Sequence, residues 1–364
     1  MATIGKGVPF SMSIRVSIPV CEEDACAVQK KGTKEGGKGK LNRWIIPKAI
    51  YLDQEGKERS AEFWVEEGRI QRIYRHDGVG DGRGKSTRLM REAGGRGEEK
   101  DGFEELILPG RIYERPLQRF RYHPRRYRSF MRKLLENGYT SFIDTIFYEG
   151  RGDLFQEILF SEALHRDSPL DFALRLQLPA RFLTPRILTE AAKEGIKEIM
   201  LVVFEGDRFL HLPWKSLQEH QQHYDLHFYL LQKSESSPFF VRKKIEEALN
   251  YWYYLSDRVK LTFELREFPT DNFPDMAPFF PSEKEVGMSR RLAKKAGLFP
   301  KKGSFYIGAD ADLISLSYDA YRKGIVQLRW VSLRGKRFFL PVTSPPFGQG
   351  RRLRGTRSFV IYES

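Results

Sequence analysis

Cysteine is almost absent from this chain. Cys21 and Cys26 are the only two, and acidic residues lie between them. Two thiols exclude a disulfide framework by count, and a structural zinc site lacks the second cysteine pair it would need. Long apolar runs are missing as well. None approaches the roughly 20 residues needed to span a bilayer. Residues 1–20 do not show the charged, apolar, small-residue order of a secretory signal. These absences set the expectation of a cytoplasmic protein with no membrane partner.

What is present is enough apolar material for a core and an excess of positive charge. Hydrophobic residues make up 40% of 364 positions, and 62 lysines and arginines against 48 acidic residues give a formal net charge of +14. This length fits one large α/β barrel with a satellite, or two ordinary domains. The charge could serve nucleic acid or another acidic surface. Its densest run is Arg119–Lys133, where arginines alternate with Phe120, Tyr122, Tyr127 and Phe130 as a stacking-plus-phosphate surface would require. The simpler reading is a loop running into a helix, with Tyr127, Phe130, Met131 and Leu134 buried and the arginines solvated. No recognised nucleic-acid motif accompanies the charge, so the simpler reading is preferred.

Residues 1–40 form a basic arm expected to be flexible, ending in the Lys/Gly tract Gln29–Lys40. From residue 41 to 105, strand-like segments at Trp44–Leu52, Ala61–Val65 and Gly68–Tyr74 alternate with short polar turns. A Gly- and charge-rich insertion at 76–102 interrupts them. Its Gly78–Ser86 segment ends in Gly-Lys-Ser, but lacks the strand and helix that a phosphate loop needs. From 106 to 290, strands at Tyr139–Asp144, Phe172–Leu178, Ile199–Phe204, Leu226–Leu230 and Val259–Leu265 alternate with helical stretches. That alternation predicts a parallel sheet with crossover helices. About 180 residues are available for it, against about 250 in a typical eight-strand barrel. A trimmed (β/α)8 TIM-barrel-like fold is therefore expected, with residues 291–364 returning as strands.

One segment carries a resemblance. Gly297-Leu298-Phe299-Pro300 followed by Lys301–Ile314 reads locally as a strand, a tight Gly-Ala-Asp turn and a second strand from Asp312. It resembles the "GL-x-P-x-KG-x-I-x-x-G-x-DADL" signature of the amidohydrolase superfamily, closest to the dihydroorotases, dihydropyrimidinases and hydantoinases. In that family the segment is structural. The resemblance implies a barrel plus a small β-domain assembled from both chain-terminal segments. Gly324–Lys336 and Gly348–Leu353 resemble the family's closing strand-turn and its terminal "G-x-G-x-x-L".

The same resemblance implies a metal site whose ligands have been replaced. Pro109–Leu117 is similar to "PG-x-ID-x-H-x-H", with Arg115 and Leu117 in the histidine positions and Tyr113 in the acidic one. A guanidinium has no lone pair to donate, and leucine has no donor atom. Gly138–Asp144 resembles the packing block "GG-x-T-x-x-x-D". In Gly195–Leu201, Met200 stands where the family has its metal-bridging lysine. Tyr224–Tyr229 is similar to "v-x-v-H-a-E" and offers His227 as a residual ligand position. Pro274–Lys284 resembles "D-H-A-P-H-x-x-x-E-K", which makes Asp275 a positional match to the general base while Met276 and Phe279 replace the histidines. Glu264 is the one donor on the Val259–Leu265 strand. If Leu217–Leu231 were helical, His220, His223 and His227 would share a face.

Three functional readings follow. The leading one is a non-catalytic, dihydroorotase-like protein serving as a structural or partner-binding subunit, in a homo-oligomer or beside another enzyme, with no cofactor. The second is an active cyclic-amide hydrolase with a rearranged zinc site. The third is a basic anion- or nucleic-acid-binding protein using Arg115, Arg119, Arg121, Arg125 and Arg126, in which Arg115 at the barrel mouth would meet a carboxylate or phosphate.

Overall fold

The computed structural model describes residues 43–53, 57–76, 105–117, 120–204, 214–232, 263–267, 283–342, 345 and 347–356. The basic arm, the insertion from 77 onward and Asp275 lie outside them, as do the expected helix Val241–Leu255 and the strand start at Val259. Among the described residues, thirteen strands fall into two sheets.

The first sheet has seven strands in the order β13-β12-β11-β4-β1-β2-β3. Here β1 is Arg43–Leu52, β2 Glu58–Glu66, β3 Arg69–Arg75 and β4 Glu105–Pro109, joined by β11 Leu313–Ser317, β12 Leu328–Leu333 and β13 Lys336–Phe339. Early and late segments meet where β4 pairs in parallel with β1 and antiparallel with β11. One face buries Phe63, Val65, Ile70, Ile107, Leu313 and Trp330 in a core of its own. The other contributes Leu106, Leu108, Ile314 and Leu316 to the main core.

The second sheet is parallel throughout, and its order β10-β9-β8-β7-β6-β5 follows the chain. Its strands are β5 Arg111–Glu114, β6 Tyr139–Phe147, β7 Asp171–Pro179, β8 Glu198–Val203, β9 His227–Gln232 and β10 Phe263–Glu267. Four helices cross between successive strands: α1 Pro124–Glu136, α2 Leu154–His165, α3 Pro185–Lys193 and α4 Trp214–Tyr224. Proline at the first turn of α1 and the Asp153 and Thr184 caps of α2 and α3 start these helices where sequence rules place them. Period-two alternation sends Phe142, Ile146, Leu174, Leu176, Ile199, Leu201 and Phe228 outward against the helices. The opposite face is filled differently. Ile112, Ile143 and Ala173 meet Leu292 and Ala293 of α5, Glu283–Lys295, with Ala296, Leu298 and Phe299 just beyond it.

The described residues thus form a mixed α/β fold with a six-stranded parallel sheet, whose outermost strands among them are β5 and β10. Gly110 is the pivot between the sheets, since β4 ends at Pro109 and β5 begins at Arg111. A side chain there would put its first carbon 2.1 Å from Thr140 Oγ1, so only glycine lets β5 lie down beside β6.

Residues 301–312 depart from the expected strand-turn-strand. They form consecutive turns, and the strand that follows is Leu313–Ser317. The reason is an ammonium group. Lys302, 1% exposed, places Nζ 2.7 Å from Asp171 at the start of β7 and 2.9 Å from Asp310, and also donates to Asp312. Arg334 in the β12–β13 turn and Arg351 further along the chain close on Asp171, and Arg351 reaches Asp310 at 3.0 Å. Backbone N–H groups of Arg351 and Arg334 donate to Asp171 and Asp312. Three cations answer three carboxylates around a buried centre. Burial alone would lower Lys302 and raise its partners. The surrounding carboxylates, Asp312 foremost, instead hold Lys302 above the ordinary lysine value. Burial likewise works to raise Asp171, but Lys302 and Arg334 outweigh it and hold the carboxyl below its usual range. Asp312 is pushed up by burial.

Removing the central cation leaves three buried acids with two arginines, neither of them ion-paired to Asp312. Lys302→Met should cost about 3–5 kcal/mol of folding stability, read from denaturant midpoints. The linkage has two signs. Because the Asp171 value is depressed, its contribution is present above the usual aspartate range and lost as acid protonates it in the folded state. Because the Lys302 value is raised, its contribution is full below about pH 10.5 and fades at higher pH. Thermal melts should therefore weaken at both ends of the pH range. The Lys302→Met variant should lose the alkaline flank.

Candidate functional site

In a parallel sheet of this kind the chemistry-bearing side chains gather at the carboxyl ends of the strands. On the inner face Arg175, the fifth of the nine residues of β7, reaches toward the carboxyl end of β5. Its Nε donates to Thr145 Oγ1 of β6 at 2.7 Å, and its Nη1 pairs with Glu114, the last residue of β5. The Arg175 side chain is 5% exposed. Gln177, two residues further along β7, stands in register with Met200 of β8. Met200, Val202, Tyr229 and Leu231 form a small apolar cluster on the same face. The arrangement is a buried ion pair tied across three strands, next to an oily wall.

The residues singled out from the sequence fall as follows. Arg115 follows β5 directly, half-buried beside Glu114. Leu117 is fully buried, and its backbone N–H donates to Asp144 Oδ1 at 2.6 Å. Met200 sits mid-strand in its apolar cluster. His227 does not join them. It is the first residue of β9, in register with Glu198, the first of β8. Gln232 ends that strand, about 16 Å further along at 3.3 Å per residue. His220 lies on α4, where its ring meets Thr189 Oγ1 at 3.0 Å and the Ser216 carbonyl at 2.7 Å. The helix ends at Tyr224, and Asp225 has a positive φ of 55°, so the three histidines never share a helical face. Asp275 and Arg119 lie outside the described residues.

These positions do not fit a zinc ion. Arg115 has no lone pair, Leu117 no donor, and the Glu114 carboxylate is already engaged by Arg175. Among the described residues, one trio of acids has metal-ligand spacing: Asp171, Asp310 and Asp312. The ammonium of Lys302 fills its centre, and Asp171 opens β7 four residues before Arg175.

A second polar chain was not visible in the sequence. Asp144 Oδ2 meets His165 Nε2 at 2.8 Å, and His165 Nδ1 meets the Tyr127 hydroxyl at 2.9 Å. It resembles a catalytic relay, but all three side chains are buried between β6, α1 and α2, with Phe142 and Phe172 against the imidazole. Burial pushes the Tyr127 phenol far above its usual range, so it remains a neutral hydrogen-bonding group. Asp144 Oδ1 also accepts from the Thr145 N–H at 2.8 Å. The chain fastens two helices and the β5–α1 loop to the sheet. Nothing local could have revealed it, because its members lie 17 and 21 residues apart on three elements.

Comparison with known proteins gives structural likeness only. No known family profile matches the chain, and no curated protein matches it. Among solved structures it is similar to a D-hydantoinase, with 14% identity and a TM-score of 0.49 over 86% of this chain and 99% of that one. It is similar to the dihydropyrimidinase from Brevibacillus agri NCHU1002, with 12% identity and a TM-score of 0.49 over 86% and 99%. It is also similar to the N-acetylglucosamine-6-phosphate deacetylase from Pasteurella multocida, with 10% identity and a TM-score of 0.49 over 82% and 100%. Overlap at this level decides nothing about activity. No helix among the described residues is long and apolar enough to cross a membrane.

The buried relay yields a measurable expectation. Tyr127→Phe removes one hydroxyl and leaves His165 Nδ1 without its partner, so stability should fall by about 1–3 kcal/mol. A lowered urea midpoint with an unchanged m-value would record it.

Proposed function

We propose that this chain is a non-catalytic relative of the metal-dependent cyclic amidohydrolases that acts by binding or assembly. The observation that supports this reading most directly is the Arg175–Glu114–Thr145 tie. A hydrolase of this type activates water on a cation gripped at the carboxyl ends of its strands. Here the Arg175 guanidinium, carried mid-strand on β7, neutralises Glu114 at the carboxyl end of β5. The neighbouring side chains Leu117 and Met200 are packed into apolar surroundings. The domain plan that goes with the proposal is a sheet built from residues 41–105 and 291–364 around a trimmed barrel from 106 to 290, with the chain working in the cytoplasm inside a homo- or hetero-oligomer.

Two measurements test the reading. Purified full-length protein should contain substoichiometric zinc and manganese, and should not open five- or six-membered cyclic ureides. Stoichiometric metal together with turnover that a chelator abolishes would overturn it. Arg175→Met supplies the second. As a structural tie, Arg175 should contribute about 1.5–3 kcal/mol through its charged hydrogen bonds, and its loss should appear as a lower melting temperature. A variant as stable as the parent would mean that Arg175 is kept for a ligand.

A further inference from the structure

We propose that the exposed surface where α1 faces α2 binds single-stranded nucleic acid, with guanidinium groups for the phosphates and open aromatic faces for the bases. This surface lies on the outside of the helical layer, away from Arg175. It is independent of whether the chain has catalytic activity.

Arg121, Arg125, Arg128 and Arg132 follow one another at spacings of four, three and four, which lines them up along one flank of α1 and its lead-in turn. Two contacts show that this flank faces α2. Arg128 pairs with Asp167, just past the end of α2, and the Arg121 guanidinium lies 3.9 Å from the ring centroid of Phe160 on α2. The Arg128 charge is thereby answered. Arg121, Arg125 and Arg132 are exposed, and none has an ion-pair partner among the described residues. The buried side of α1, Tyr127, Met131, Leu134 and Leu135, is saturated by the core, so these arginines have no packing role there.

The aromatic half is equally unusual. Phe160 is 53% exposed and Tyr122 78%, and Arg121 lies over both rings. Large rings left open on the surface and interleaved with guanidiniums match what a single strand needs: stacking platforms beside a cationic track. A duplex hides its base faces, so it could use only the charge. From Arg121 to Arg132 the stripe spans about 16 Å at 1.5 Å per residue, enough for a few phosphates.

The probe is a fluorescein-labelled oligothymidine of about a dozen nucleotides, added to the full chain and followed by anisotropy across a salt series. Three phosphate contacts predict a log–log slope against salt of about −2. Arg125→Ala with Arg132→Ala should weaken binding about tenfold or more at low salt and flatten the slope by about 1.4. The matched pair on the opposite flank, Arg126→Ala with Lys133→Ala, removes the same charge and should leave affinity nearly unchanged. Phe160→Ala should weaken binding about 5- to 100-fold with the slope retained, as loss of one stacking partner would. All these positions are exposed, and unchanged melting curves will confirm folded variants. The proposal is overturned by absence of salt-sensitive binding, or by equal losses from both arginine-flank pairs. It is also overturned by indifference to Phe160→Ala or equal affinity for duplex, either of which means a charge-only surface, or by binding of an acidic peptide but not the oligonucleotide.

Discussion

The Lys302 ammonium is the point at which the two sheets are fastened together. It draws one carboxylate from the parallel sheet, Asp171, and two from the turns that lead into the other sheet, Asp310 and Asp312. Desolvating so many charges is costly, and the site is tenable only because every formal charge has a partner within hydrogen-bond reach. Arg334 and Arg351 add backbone N–H donors to their side-chain contacts, so the turn between β12 and β13 and the segment after residue 347 are held by the same acids. Parallel sheet, antiparallel sheet and late chain segment thus meet at one ionic node.

Much of the architecture could be read from the chain. Alternating buried strands with Pro and capped helix starts announced the parallel sheet, and Pro109-Gly110 announced its entry. The Lys302, Asp310 and Asp312 pattern was legible as a marker of fold. Its physics was not, because Asp171 lies 131 residues away from Lys302 and no local rule connects them. The local expectation of a strand at the start of that segment failed for the same reason. A chain that must turn three acids toward one amine cannot stay extended, and Ser304 instead folds its hydroxyl back to the Pro300 carbonyl.

The candidate site was less legible. Arg115 falls just past its strand and Met200 within one, while His227 opens β9 in register with Glu198, a pairing that residue type alone does not announce. The centre of the inner face, Arg175, was passed over because an arginine inside an apolar alternation looks like an interruption. Its partners come from two other strands, and only the sheet brings them together.

Gly110 sets the order in which this protein can be made. The strand before it needs β11 as a neighbour, yet β11 lies some 200 residues later in the chain. Until the ribosome has released that stretch, β4 presents an unpaired rim and Asp171 has no counter-ion. Long-range closure of this kind is slow. A nascent chain would therefore spend most of its synthesis with an adhesive edge uncovered, in the condition that holdase chaperones recognise.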